Sequence, residues 1–144
     1  MKSFKLALQI IQGIFLFEHP SYLVYFVNAH CNCRCSMCFN GENVFAINKP
    51  KELSLREIAK AAKSICPLPQ LLLSGGEPFL RKDLADIVYM FYRYARTRQI
   101  SIPTNGVLTE RILMSVEMIL ERCPDAFLNI NLSLDGIGED HDAS

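Results

Sequence analysis

Four cysteines crowd into the stretch Cys31-Asn32-Cys33-Arg34-Cys35-Ser36-Met37-Cys38-Phe39, directly after the apolar run Tyr22 to Val27. Cys31, Cys35 and Cys38 follow a CxxxCxxC spacing, so one short loop can wrap around a compact metal centre and present three thiolates to it. Thiolate is a soft ligand that suits iron–sulfur clusters, zinc or copper(I), and a cubane cluster takes four such ligands. Three cysteines on one loop therefore leave one iron open to another molecule. Cys33 is an extra thiol inside the loop. As a fourth ligand it would close the site and make a zinc or electron-transfer module, although zinc cysteines come as C-x₂₋₄-C pairs and the gaps Cys31-x-Cys33-x-Cys35 are tighter than that. Near neighbours also bridge badly, so the pattern reads as a reduced, cytosolic, metal-binding chain. Cys66 and Cys123, each just before a proline, read as small apolar residues at helix ends.

The chain that must position this loop has 144 residues, half of them apolar, enough for one domain with a core and too few for two. Fifteen basic residues balance fifteen acidic ones, so no overall field argues for nucleic acid or an anionic membrane. Near the start, Phe4, Ala7, Leu8, Ile11 and Phe15 fall on one helical face with Lys5, Gln9 and Gln12 opposite, which predicts an N-terminal amphipathic helix in residues 1–20. Gln9, Gln12 and Gly13 interrupt its apolar run, which is shorter than the ~20 residues a membrane span needs. It reads as a helix packed on the domain, with contact to a membrane surface left open.

From Tyr22 onward short apolar runs alternate with helical patterns, the mark of βα units and a parallel sheet. Strands are expected at Tyr22 to Asn28, Leu71 to Ser74, Ile100 to Pro103 and Phe127 to Leu134. Ser54-Leu55-Arg56-Glu57 is a capping box opening a helix with Leu55, Ile58, Ala62 and Ile65 on one face. Asp83 is expected to cap a helix burying Leu84, Ile87, Val88, Phe91 and Ala95, and Thr109 one with Ile112, Leu113, Val116, Ile119 and Leu120 inward. On strand four Leu128, Ile130, Leu132 and Leu134 share one face, while Asn129, Asn131 and Ser133 share the other. A barrel with a polar lumen or a sheet edge with one wet face would each produce that pattern. Arg81 and Lys82 read as a solvated region around the cap Asp83.

Three further motifs stand just past strand ends: Ser74-Gly75-Gly76-Glu77-Pro78, Pro103-Thr104-Asn105-Gly106 and Asn131-Leu132-Ser133-Leu134-Asp135-Gly136. Each alone is an ordinary turn. In this order behind a CxxxCxxC loop, they resemble the radical S-adenosylmethionine (SAM) superfamily over Tyr22 to Gly136. The resemblance implies an α/β chain folded as a partial (βα)6 TIM-like radical SAM barrel. About four βα units are present, so residues 21–144 form a radical SAM core domain incomplete at its C-terminus, truncated or completed by another chain.

The resemblance also implies the chemistry. Cys31, Cys35 and Cys38 would hold an oxygen-sensitive 4Fe-4S cluster, and SAM would chelate its open iron. One electron, from a reductant such as flavodoxin or ferredoxin, would cleave SAM to a 5′-deoxyadenosyl radical that takes hydrogen from an unidentified substrate. Gly75 and Gly76 would let backbone approach the methionine part of SAM, Glu77 would lie near its ammonium, and Pro78 would fix the turn. Ser133 would help bind SAM, and Thr104 and Asn105 would contact SAM or substrate. Met37 stands where the family commonly has an aromatic residue near the adenine. Beside this enzyme stand two other readings: a non-catalytic iron–sulfur or zinc module, and an inactive fragment that keeps the fold and needs a partner.

Overall fold

The structure, a computed structural model, describes residues 20–138. The helix expected in residues 1–20 lies outside the described residues except for Pro20. The elements are β1 (Tyr22–Phe26), a short α1 (Gly41–Phe45), α2 (Leu55–Ser64), β2 (Gln70–Ser74), a 3-10 turn (Pro78–Leu80), α3 (Leu84–Tyr94), β3 (Gln99–Thr104), α4 (Thr109–Arg122) and β4 (Phe127–Leu132). The four strands form one parallel sheet in chain order, with Tyr22, Gln70, Gln99 and Phe127 level across it. The expected α/β class and parallel sheet are thus present, with strand ends moved by a residue or two.

Alternation along the strands decides which face is covered. Leu71, Leu73, Ile100 and Ile102 are buried, and Leu23, Tyr25, Leu128 and Ile130 pack against the same core. The helices close that face with Ile58 and Ala62 from α2, Leu84, Ile87, Val88 and Phe91 from α3, and Ile119 from α4. On the other face Tyr22, Val24, Phe26, Phe127, Asn129 and Asn131 are exposed. β4 stands at the end of the sheet with its asparagine face open, so the wet edge and the polar face are one feature.

Some expected burial is corrected. Leu132 and Leu134 are exposed, and α4 buries Ile119, with Ile112 and Val116 beside it, while Leu113 and Leu120 are 58% and 51% exposed. At 100° per residue those two leucines lie on the flank of the Ile112–Ile119 stripe, and α4 meets α3 on its other flank, where Arg122 pairs with Asp86 and covers the Tyr89 ring.

The caps divide similarly. Ser54 accepts from Glu57 N (3.4 Å) and Glu57 Oε2 accepts from Ser54 N (2.9 Å), the expected reciprocal box. Asp83 precedes α3 but makes no side-chain cap bond, and Leu108 rather than Thr109 occupies the cap position of α4. Thr109 Oγ1 instead donates to Gly106 O (3.2 Å).

Ser54 also holds the Glu57 carboxyl below its ordinary pKa of 4.5, through side-chain and then backbone hydrogen bonding. A depressed folded value stabilises above the ordinary pKa and is lost as pH falls through the folded one. Ser54→Ala is therefore expected to lower the melting temperature by a few degrees near neutral pH. The gap from wild type, followed by circular dichroism, should narrow as the solution is acidified below the ordinary value.

Candidate functional site

Beyond β1 the chain does not leave the sheet at once. Val27 N donates to Ser74 O (2.9 Å), Gly76 N to Asn28 O (3.1 Å) and Glu77 N to His30 O (2.7 Å), extending the ladder past both strand ends. The buried Asn28 side chain adds a second line of bonds, donating to Glu77 O (3.0 Å) and accepting from His30 N (3.1 Å) and Gly76 N (3.3 Å). A buried amide must be paired in this way to be tolerated.

The two glycines are required by this contact. A Cβ on Gly76 would lie 2.2 Å from His30 O and one on Gly75 2.5 Å from Asn28 O, and Gly75 has φ +145°. The space freed by the missing side chains is taken by the chain's own Asn28–His30 backbone. That backbone leads directly into Cys31.

Glu77 carries the connection onward. The residue is 2% exposed, and its carboxylate accepts from Phe79 N (3.0 Å), Thr104 Oγ1 (3.0 Å) and Asn105 N (2.9 Å), tying the end of β2 to that of β3. Bonds to a carboxylate are charge-assisted and strong. Thr104, also buried, accepts in turn from Gly106 N (3.1 Å). Asn105 reaches back to the cysteine loop, its Nδ2 lying 2.9 Å from Asn32 Oδ1, 3.2 Å from Cys33 Sγ and 3.9 Å from Cys31 Sγ.

Cys31, Cys33, Cys35 and Cys38 are free, partly exposed thiols. The loop turns through Cys38 N to Cys35 O (3.2 Å) and Gly41 N to Cys38 O (3.0 Å) into α1, and buried Asn40 donates to Gly75 O (3.1 Å). Lys49 Nζ donates to Ala29 O (3.0 Å) and to Val44 O, closing the far side. Burial pushes the Cys33 thiol up, and Cys31, Cys35 and Glu77 act in the same direction.

Among the described residues no three His, Cys, Asp or Glu side chains converge on one ion position. A tetrahedral zinc needs such convergence, whereas in a cubane each thiolate binds its own iron at a different corner.

Of the other sequence-derived residues, Pro78 is buried and opens the 3-10 turn. Met37 is 61% exposed beside the loop, and the Phe39 ring meets Phe26 edge-on at 6.1 Å. Ser133 is exposed just past β4 and attached by its backbone N to Thr104 O (2.9 Å).

Arg81 corrects an expectation. It is not solvated: its side chain is 4% exposed and donates to Val27 O (2.6 Å), Leu53 O (2.5 Å) and the Asp83 carboxylate (2.7 and 3.3 Å), with Glu52 at 3.8 Å. Sequence reasoning also missed Asn28 and Asn40. An asparagine directly after an apolar strand, and another directly after the cysteine loop, were the available signals. Beside Arg81 an open cleft of about 560 Å³ borders Asn28, His30, Cys31, Asn32 and Lys82.

The chain is similar to known proteins in sequence and in fold. The profile of the Radical SAM superfamily matches residues 25–143. Molybdenum cofactor biosynthesis protein 1 of Drosophila melanogaster is 32% identical over 125 residues, covering 85% of this chain and 21% of that protein. GTP 3',8-cyclase of Clostridium botulinum (strain Okra / Type B1) is 29% identical over 122 residues, covering 83% of this chain and 36% of that protein. The chain thus spans only a fifth to about a third of these relatives. Among solved structures, selenomethionine BtrN in an open conformation has a TM-score of 0.53 at 24% identity, covering 76% of this chain and 56% of that one, a likeness of fold. No helix among the described residues is long and apolar enough to cross a membrane. With the profile covering most of its length, this chain belongs to the radical SAM superfamily, enzymes that use a 4Fe-4S cluster and SAM together with a reductant and a substrate.

Proposed function

We propose that this chain carries the cluster- and SAM-binding part of a cytoplasmic radical SAM enzyme, with Cys31, Cys35 and Cys38 as the cluster ligands. When bound, the cluster and SAM supply a 5′-deoxyadenosyl radical able to take hydrogen from an unreactive substrate. The observation that carries the reading is the single network running from Asn28 through Glu77 to Asn105, which fixes the CxxxCxxC loop against the ends of β1, β2 and β3.

The protein's own part is positioning. Gly75, Gly76 and Pro78 shape the turn against the loop. Glu77 and Thr104, spent on internal bonds, hold that turn, and Glu77 would be its acidic group toward the ammonium of SAM. Met37, exposed beside the loop, is available to an adenine face, and Ser133, exposed past β4, to the nucleoside. The open sheet face offers uncharged hydrogen-bonding groups, Ser101, Asn129 and Asn131, to a substrate. The relative named GTP 3',8-cyclase makes a guanosine nucleotide the first class to try, with flavodoxin or ferredoxin as reductant.

The decisive test is anaerobic reconstitution with iron and sulfide, reduction with dithionite, and electron paramagnetic resonance with and without SAM. A cluster signal that changes on adding SAM is expected. A signal indifferent to SAM would remove the open iron from the proposal.

A further inference from the structure

The CxxxCxxC pattern leaves Cys33 without a role, yet its sulfur is held. Asn105 Nδ2 stands 3.2 Å from it, and the same amide donates to Asn32 Oδ1 at 2.9 Å, gripping the loop at two adjacent residues. A carboxamide nitrogen carries two hydrogens, so one serves Asn32 while the other is directed to sulfur. Cys33 is the nearer of the two sulfurs, Cys31 Sγ being 3.9 Å away.

The amide is itself held from behind. Asn105 N donates to the buried Glu77 carboxylate (2.9 Å) and Asn105 Oδ1 accepts from Val107 N (3.1 Å), so the donor is aimed by the end of β3 and not by the loop it restrains.

A thiol on the same short loop as the cluster ligands has a high effective concentration at the site, because its chain tether replaces diffusion. Thiolate is also the preferred ligand of iron–sulfur clusters. An unrestrained Cys33 would therefore compete with SAM for the open iron. We propose that Asn105 is a positioning residue that pins Cys33 to the end of β3 and so keeps the fourth thiol off the iron reserved for SAM. This rests on the assignment of Cys31, Cys35 and Cys38 as the ligands.

The test compares wild type with Asn105→Ala, Cys33→Ala and the double variant, each reconstituted anaerobically. Iron and sulfide content are measured, together with the electron paramagnetic resonance of the dithionite-reduced protein across a SAM titration. Asn105→Ala is expected to keep the wild-type iron content while its response to SAM weakens about tenfold or more, the scale on which outer-shell partners act. Adding Cys33→Ala should restore the response.

Asn105→Asp guards against a folding failure, since it keeps an acceptor for Val107 N and the backbone bond to Glu77 but cannot donate to sulfur, and it should behave as Asn105→Ala does. A wild-type response in Asn105→Ala and Asn105→Asp, or a double variant that stays unresponsive, would overturn the proposal. If wild type itself shows no SAM response, or Cys35→Ala loads a full cluster, the ligand assignment is what has failed, and this proposal falls with it.

Discussion

Cys35→Ala is expected to leave the protein without a cluster, iron falling from about four per chain to background, while Cys33→Ala retains wild-type iron. Cys35 contributes its carbonyl to the loop turn, accepting from Cys38 N, and alanine preserves that bond. The fold should therefore survive, and far-ultraviolet circular dichroism should be unchanged while iron is lost. With only two cysteines of the CxxxCxxC set remaining, a cubane lacks the ligands to stay on the loop.

Cys33 differs because its removal leaves the CxxxCxxC set complete; what disappears is a sulfur held by Asn105, while alanine keeps the backbone N–H that donates to Cys31 Sγ at 3.4 Å. Iron analysis after anaerobic reconstitution separates the two. Equal loss in both variants would mean that all four cysteines are ligands, and the non-catalytic module would replace the enzyme.

Arg81→Met should have the largest effect on stability. Methionine replaces much of the apolar stem but leaves Val27 O and Leu53 O without this donor, and takes the cation from Asp83 and Glu52. Removing one member of a buried pair costs about 3–5 kcal/mol, and because the acids here are partly exposed the lower end, about 3 kcal/mol, is expected. Urea unfolding followed by circular dichroism measures it. Arg81→Lys should recover only part, since one ammonium cannot reproduce the guanidinium fork that reaches two carbonyls and a carboxylate together. A loss no greater than the roughly 0.5 kcal/mol of a surface substitution would show that Arg81 is not the anchor of the β1 tail.

What the sequence shows and what it hides divide along a physical line. Ser54 and Glu57 are three residues apart, so their mutual cap follows from local spacing, as does the alternation that exposes Asn129 and Asn131 and packs Leu128 and Ile130. The order of the four motifs could likewise be read directly, because in a parallel sheet each stands at the same end of its strand.

The partners of polar residues are less legible. Arg81 sits three residues before a helix and two before an aspartate, a setting that locally reads as surface, and the carbonyls of Val27 and Leu53, far back in the chain, help bury it. Glu77, expected beside a ligand, is turned inward because Thr104 and Asn105 supply its donors from another strand. Leu113 and Leu120 match the helical period, but periodicity places a residue on a stripe without saying how wide a neighbour covers it.

The chain-order sheet has a consequence for how the molecule comes together during synthesis. Each new strand pairs with the one made just before it, so the sheet can grow in the direction of translation without waiting for distant segments. The cysteine loop is different. It emerges early, yet the groups that fix it come later, Glu77 at a separation of 49 residues from Asn28 and Asn105 at 74 from Cys31. Closing such spans is entropically slow. The loop therefore acquires its fixed shape only once β3 and the turn after it have been made, and cysteines exposed until then favour a cluster delivered after β3 rather than one assembled as the loop itself emerges.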